Sequence, residues 1–196
     1  MGLIPPRPVV RIHHPLYNKK ESMNIKVFGQ DELLKFIQTH DVSDSVCISI
    51  SDPPARFYHP FNDNFDPLVL KPKFADTLVL RFHDVDQKFI VGAPLFCHAE
   101  KMLSFIKKYK NTPIYIHCFA GVSRSAAAGL AGFMLECGDE NQALKKLISI
   151  RPCISPNTLL VKYFDQLLGS DLMSHVVAYK KTLIEEINED PYWGVR

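Results

Sequence analysis

His117-Cys118-Phe119-Ala120-Gly121-Val122-Ser123-Arg124-Ser125 lies between two stretches of opposite character, and that contrast decides the fold around it. Before it, Pro113-Ile114-Tyr115-Ile116-His117 follows Asn111-Thr112 as a short apolar, β-branched and aromatic run, the pattern of a buried strand. After it, the chain from Ser125 to Leu135 is small and apolar, which predicts a helix packed deep in the fold. In a turn between a strand's C-terminal end and a helix N-terminus, the backbone N–H groups of Phe119, Ala120, Gly121, Val122, Ser123 and Arg124 can face inward as an anion-binding nest. The helix dipole adds positive potential there. A bare Cys-x₅-Arg spacing decides little; the His before the Cys, the Gly three residues after it and the Ser after the Arg mark the segment as functional.

Each residue type has a chemical reason to be there. Cys118 would feel the helix terminus, the N–H groups and the Arg124 charge, all of which favour thiolate, the nucleophilic form. Arg124 presents a planar fork that holds two phosphoryl oxygens, which a lysine point charge does not match. Ser125 can donate to the Cys118 sulfur when the thiolate leaves. His117 is read as orienting the loop backbone, because a thiolate already formed needs no base. A cysteinyl-phosphate route also needs one carboxylate as acid and then base. Thr77-Leu78-Val79-Leu80-Arg81-Phe82 reads as a strand ending in His83-Asp84-Val85-Asp86, which makes Asp84 the first choice and Asp86 the second. The other of the two is expected to cap the following turn.

Further strands are expected near Ile25-Lys26-Val27-Phe28 and over Ser45 to Ile50, with helices beginning near Gln30 and spanning about 94–109, 140–150 and 158–168. Alternating strands and helices predict an α/β fold, with a central, mostly parallel sheet of four to five strands flanked by helices and active loops at the strands' C-terminal ends. Residues 1–196 read as one domain: an extended, proline-rich and basic arm over 1–24, a catalytic core over 25–169, and a C-terminal helix and tail over 170–196, docked on the core or on a partner. Pro5-Pro6-Arg7-Pro8 in the arm is read as packing ahead of a ligand motif. Two readings stay open for the long aromatic stretch between Pro53 and Asp76: a reader of residues around a phosphosite, or a surface loop anchored by its aromatics.

At 196 residues and 46% hydrophobic, the chain can bury one sizeable core but not two. A formal charge of +2 is too mild to imply nucleic acid, and no run approaches the roughly 18 apolar residues of a membrane span. The five cysteines show neither disulfide-framework nor metal spacing, and a thiolate enzyme needs a reducing compartment, so the cytoplasm is expected. Cys137 and Cys153 are expected to be buried, with a protective disulfide to Cys118 as the alternative. His13, His14, His59, His98 and His175 read as surface or capping residues. Arg151 and Asn157 are candidates to support the loop, although Pro156-Asn157 equally signals a helix start.

At the His117–Ser125 loop the chain resembles the cysteine-dependent protein tyrosine phosphatases, and within them the compact dual-specificity group, whose loop commonly reads H-C-x-x-G-x-S-R-S. Leu80-Arg81-Phe82-His83-Asp84 is similar to that group's general-acid loop, and Arg151-Pro152-Cys153-Ile154-Ser155-Pro156-Asn157 to its R-P-x-I-x-P-N element. The resemblance runs from about Ile25 to Leu168, and its wording is most like small bacterial members. It implies a metal- and cofactor-independent phosphatase acting on phosphotyrosine, and on phosphoserine and phosphothreonine if the pocket is shallow. It further implies phosphorylated protein or peptide as substrate; a monomer without nucleic acid or membrane partner is the expectation, with the oligomeric state left open by the sequence. Phe119, Ala120 and Val122 stand where phosphoinositide phosphatases of this type carry lysines, which argues against lipid head groups. Three rivals remain: a phosphate-binding module without turnover; a sulfurtransferase or arsenate reductase; and a phosphatase of nucleotides, inositol phosphates or RNA 5′ ends.

Overall fold

A computed structural model describes residues 22–54 and 66–189. Four strands, β1 (Ile25–Gly29), β2 (Val46–Ser51), β3 (Asp76–Arg81) and β4 (Ile114–Cys118), form one parallel sheet in the order β1-β4-β2-β3. Among the described residues six α-helices accompany it: α1 (Gln30–Thr39), α2 (Phe96–Lys108), α3 (Arg124–Cys137), α4 (Glu140–Ile150), α5 (Thr158–Leu168) and α6 (Leu172–Glu189). This is the expected α/β class, and the sheet has four strands.

Period-two alternation divides the core. On one face, Ile25, Val27, Val46, Ile48, Ile50, Leu80, Ile114, Ile116 and Cys118 pack against α2 to α6. On the other, Phe28, Cys47 and Tyr115 pack with Leu33 of α1 and with Leu70 and Phe74, which follow the short helical turn Pro67–Leu70 or close it. The central strand β4 is buried along its whole length, as expected for a parallel strand covered on both faces. The expected strand ends differ by one residue at β3 and β4, which places Cys118 as the last residue of β4 rather than just beyond it.

Helix α3 is the central helix. Ala126, Ala127, Ala128, Leu130 and Ala131 are fully buried, and the short alanines let it lie close to the sheet. Helix α6 docks on the core: Asp165 accepts hydrogen bonds from the N–H groups of Leu172 and Met173 at its start, and Tyr179 and Lys180 donate to the carbonyls of Pro152 and Pro156. Cys153 corrects an expectation. It is exposed, because the turn between α4 and α5 buries Ile154 and Asn157 instead, and Cys137 is only half-buried. No helix among the described residues is long and apolar enough to cross a membrane. The proline-rich segment around Pro5–Pro8 and the aromatic stretch over 55–65, with His13, His14 and His59, lie outside the described residues.

Candidate active site

The site sits at the C-terminal end of β4, where the chain turns from the sheet into α3. Gly121 makes that turn possible. Its φ is +76°, and a Cβ there would stand 2.4 Å from the Gly29 nitrogen and 2.6 Å from the Phe28 carbonyl carbon, so the loop backbone presses on the end of β1. The Phe119 carbonyl accepts from Gln30 N–H at the start of α1, and the Val122 carbonyl accepts from Ser155 N–H on the opposite side. The loop is thus held from both flanks.

Cys118 is 2% exposed. Its Sγ accepts a hydrogen bond from Gly121 N–H at 3.3 Å and lies 3.1 Å from Ser125 Oγ. A thiolate in that place would accept from both groups. Cys47 lies in apolar surroundings where burial pushes its thiol up, well away from reactivity. His117 points to the opposite face of the sheet, where Nε2 pairs with Ser49 Oγ at 2.7 Å and Nδ1 lies 3.4 Å from the Cys118 carbonyl. It braces the strand behind the loop.

Arg124 is 3% exposed and opens α3. Its Nη1 donates to the Phe82 carbonyl at 2.7 Å and to Asp52 Oδ1 at 3.1 Å. Its Nε is buried without a hydrogen bond, 3.8 Å from Asp84 Oδ2. A buried guanidinium N–H with no partner has the chemistry of a phosphoryl-oxygen donor. Ser123, at the N-cap of α3, does not cap the helix; its hydroxyl donates to Asp84 Oδ1 at 2.7 Å. The first turn of α3 is left without a side-chain cap, as suits an anion-facing terminus.

The two acidic candidates separate cleanly. Asp84 is 37% exposed at the mouth of the loop and accepts from Ser123 Oγ and, at 2.9 Å, from Asn157 Nδ2. Asp86 accepts from Thr158 N–H at 2.7 Å, which makes it a cap of α5. Asn157 marks a helix start, as the sequence suggested, since its Oδ1 caps α5 through Leu160 N–H; its amide nitrogen holds Asp84 and the Val85 carbonyl. His98 is likewise a cap, since its Nδ1 accepts from Leu95 N–H at the start of α2. Burial and the nearby Lys101 charge hold its pKa below the ordinary histidine range, which keeps it neutral for that role.

Arg151 ties the loop down from outside, donating to the Ala120 carbonyl at 3.1 Å and to Glu32 Oε2 at 2.6 Å. Burial pushes the Glu32 carboxyl up, but the Arg151 hydrogen bond and charge and the Gly29 N–H outweigh it, so the group is held below the usual carboxylate range. A depressed carboxyl contributes stability above its unfolded value of about 4.3 and loses it as the pH falls through the folded value. Because Glu32 is half exposed, Glu32→Gln is expected to cost only about 0.2–1 kcal/mol at pH 7. The gap to wild type should close in urea melts below pH 4, and a gap independent of pH would contradict the pairing.

Asp52 is the site residue that sequence reasoning missed. Ser51-Asp52-Pro53-Pro54 reads as a strand stop, yet the carboxylate reaches both Arg124 and, at 3.1 Å, His83 Nδ1. The available signal was its place just past β2, level with Cys118 and Asp84 at the C-terminal edge of the sheet. Among the described residues no group of three or more His, Cys, Asp or Glu could hold a metal ion.

No protein-family model matches the chain. Over 96 residues, 48% of its length, it is 36% identical to MAP kinase phosphatase with leucine-rich repeats protein 2 of Dictyostelium discoideum, and the match spans 13% of that relative. The human tyrosine phosphatase-like serine/threonine/tyrosine-interacting protein superposes with a TM-score of 0.52 at 21% identity, covering 74% of this chain and 90% of that one. Human DUSP28 superposes with a TM-score of 0.50 at 20% identity, covering 76% and 96%. By fold, then, the chain is similar to these two solved structures.

Proposed function

We propose that this site hydrolyses phosphomonoesters on protein, phosphotyrosine foremost and phosphoserine or phosphothreonine as well, through a cysteinyl-phosphate intermediate. The observation that carries the reading is the convergence of Cys118, Arg124 and Asp84 on one loop at the end of β4. The Cys118 thiolate attacks phosphorus, the phosphorus–ester oxygen bond breaks, and Asp84 gives its proton to the departing oxygen. Water then attacks phosphorus, its proton passes to Asp84, and the sulfur–phosphorus bond breaks to release orthophosphate. Ser125, 3.1 Å from the sulfur, donates to the returning thiolate. Loop N–H groups and Arg124 meet the equatorial oxygen charge in both steps, so the route calls for no metal or other cofactor. A cytoplasmic location follows from the need for a reduced Cys118, and the likeness to the Dictyostelium phosphatase supports a protein substrate.

Steady-state hydrolysis of para-nitrophenyl phosphate in chelator and reductant tests the chemistry. A competition panel of phosphotyrosine, phosphoserine and phosphothreonine peptides, nucleotides and inositol phosphates tests the substrate class. Chelator-resistant turnover with preference for phosphopeptides is expected. Orthophosphate binding without turnover would instead make the site a phosphate-binding module.

A further inference from the structure

The route above leaves one part-buried contact without a role. Asp52 Oδ1 accepts at 3.1 Å from Arg124 Nη1 and at 3.1 Å from His83 Nδ1, so one oxygen joins the phosphate-binding guanidinium to the residue next to Asp84. Because an ionised carboxylate only accepts, His83 carries its proton on Nδ1. The same Arg124 Nη1 donates to the carbonyl of Phe82, the residue before His83.

His83 is itself held. Its N–H donates to the Gly92 carbonyl at 2.7 Å, which closes residues 83–92 into a loop. At Gly92, φ is +79°, and a Cβ would fall 2.5 Å from His83 Cδ2, so the glycine lets the end of the loop lie against the imidazole. The segment carrying Asp84 is therefore anchored at its root to Asp52, and Asp52 is anchored to Arg124.

We propose, on the phosphatase reading of this site, that Asp52 is a positioning residue which, with His83, couples the orientation of Arg124 to the placement of Asp84. Holding Nη1 turns the guanidinium so that Nε faces the loop mouth, where it lies 3.8 Å from Asp84 Oδ2. Holding His83 sets the distance from that guanidinium to the carboxyl that must reach the leaving oxygen. A merely structural Asp52 would neutralise a buried charge and leave the two functions independent.

The test combines Asp52→Asn, which keeps shape and an acceptor oxygen; His83→Leu, which removes the donor; His83→Asn, which retains one; and Asp52→Asn/His83→Leu. Readouts are kcat and KM on para-nitrophenyl phosphate and phenyl phosphate, the inhibition constant of orthovanadate, and the thermal midpoint. Asp52→Asn is expected to lower kcat/KM by about 10²-fold, the cost of misplacing reacting groups by an ångström, and to weaken orthovanadate inhibition. His83→Leu should depress kcat on phenyl phosphate more than on para-nitrophenyl phosphate, His83→Asn should restore it, and the double variant should lose no more than Asp52→Asn alone. Additive losses, or an Asp52→Asn enzyme within twofold of wild type in both kcat/KM and orthovanadate inhibition, overturn the coupling and leave the phosphatase reading intact. Losses that merely track a lower thermal midpoint, with no rescue by His83→Asn, also overturn it. A wild-type protein that turns over neither ester overturns the phosphatase reading itself.

Discussion

Cys118→Ser is expected to lose turnover of para-nitrophenyl phosphate by more than about 10³-fold, the scale on which removing a nucleophile acts. A serine hydroxyl in the same place stays protonated, and His117 cannot activate it, because that imidazole lies on the opposite face of the sheet and is paired with Ser49. Orthophosphate and orthovanadate binding should persist, since Arg124, the Gly121 turn and the uncapped start of α3 are unchanged. Rate assays with calorimetric titration of orthovanadate check both halves. Residual turnover near wild type would place the nucleophile elsewhere, and simultaneous loss of anion binding would mean that the sulfur's contacts with Ser125 and Gly121 hold the loop in shape. The variant should also retain its phosphorylated substrate, giving a direct route to that partner.

The second large effect is expected at Asp84. Asp84→Ala should slow phenyl phosphate by about 10²–10⁴-fold, the range of general acid catalysis, and para-nitrophenyl phosphate by a clearly smaller factor, because a good leaving group departs with little protonation. Asp86→Ala is the internal contrast. Its carboxylate caps α5 through Thr158 N–H, so it should lower the thermal midpoint and leave the dependence on leaving group untouched. Equal losses at Asp84 for both esters would give that residue a structural task through Ser123 and Asn157.

The local chemistry of the site was legible because each part is written in consecutive residues. The apolar run into Cys118, the glycine three residues later and the alanine-rich helix after Arg124 together specify a strand, a turn with a left-handed residue and a buried helix. Any chain with that succession puts a cysteine and an arginine on one anion-facing turn. Helix α5 was equally readable, from Asn157 as a cap whose side chain accepts from Leu160 N–H.

Contacts between distant segments were another matter. Asp84 and Asp86 are two residues apart in the same kind of sequence, and nothing local separates their surroundings; the position of α5 does, by offering Thr158 N–H to Asp86 and the Asn157 amide to Asp84. Cys153 sits beside Ile154, yet packing buries only the latter. Asp52 lies 72 residues from Arg124 and 31 from His83 and meets them only because β2 lies beside β4 and β3 in the sheet. Sequence by itself determined the α/β class and the strand–turn–helix that carries Cys118 and Arg124, because backbone propensity and short-range spacing act within a few residues. The different partners of Asp84 and Asp86 and the anchoring of Arg124 were decided by tertiary structure alone, because a hydrogen bond between side chains depends on strand order and helix placement, which no single stretch of chain contains.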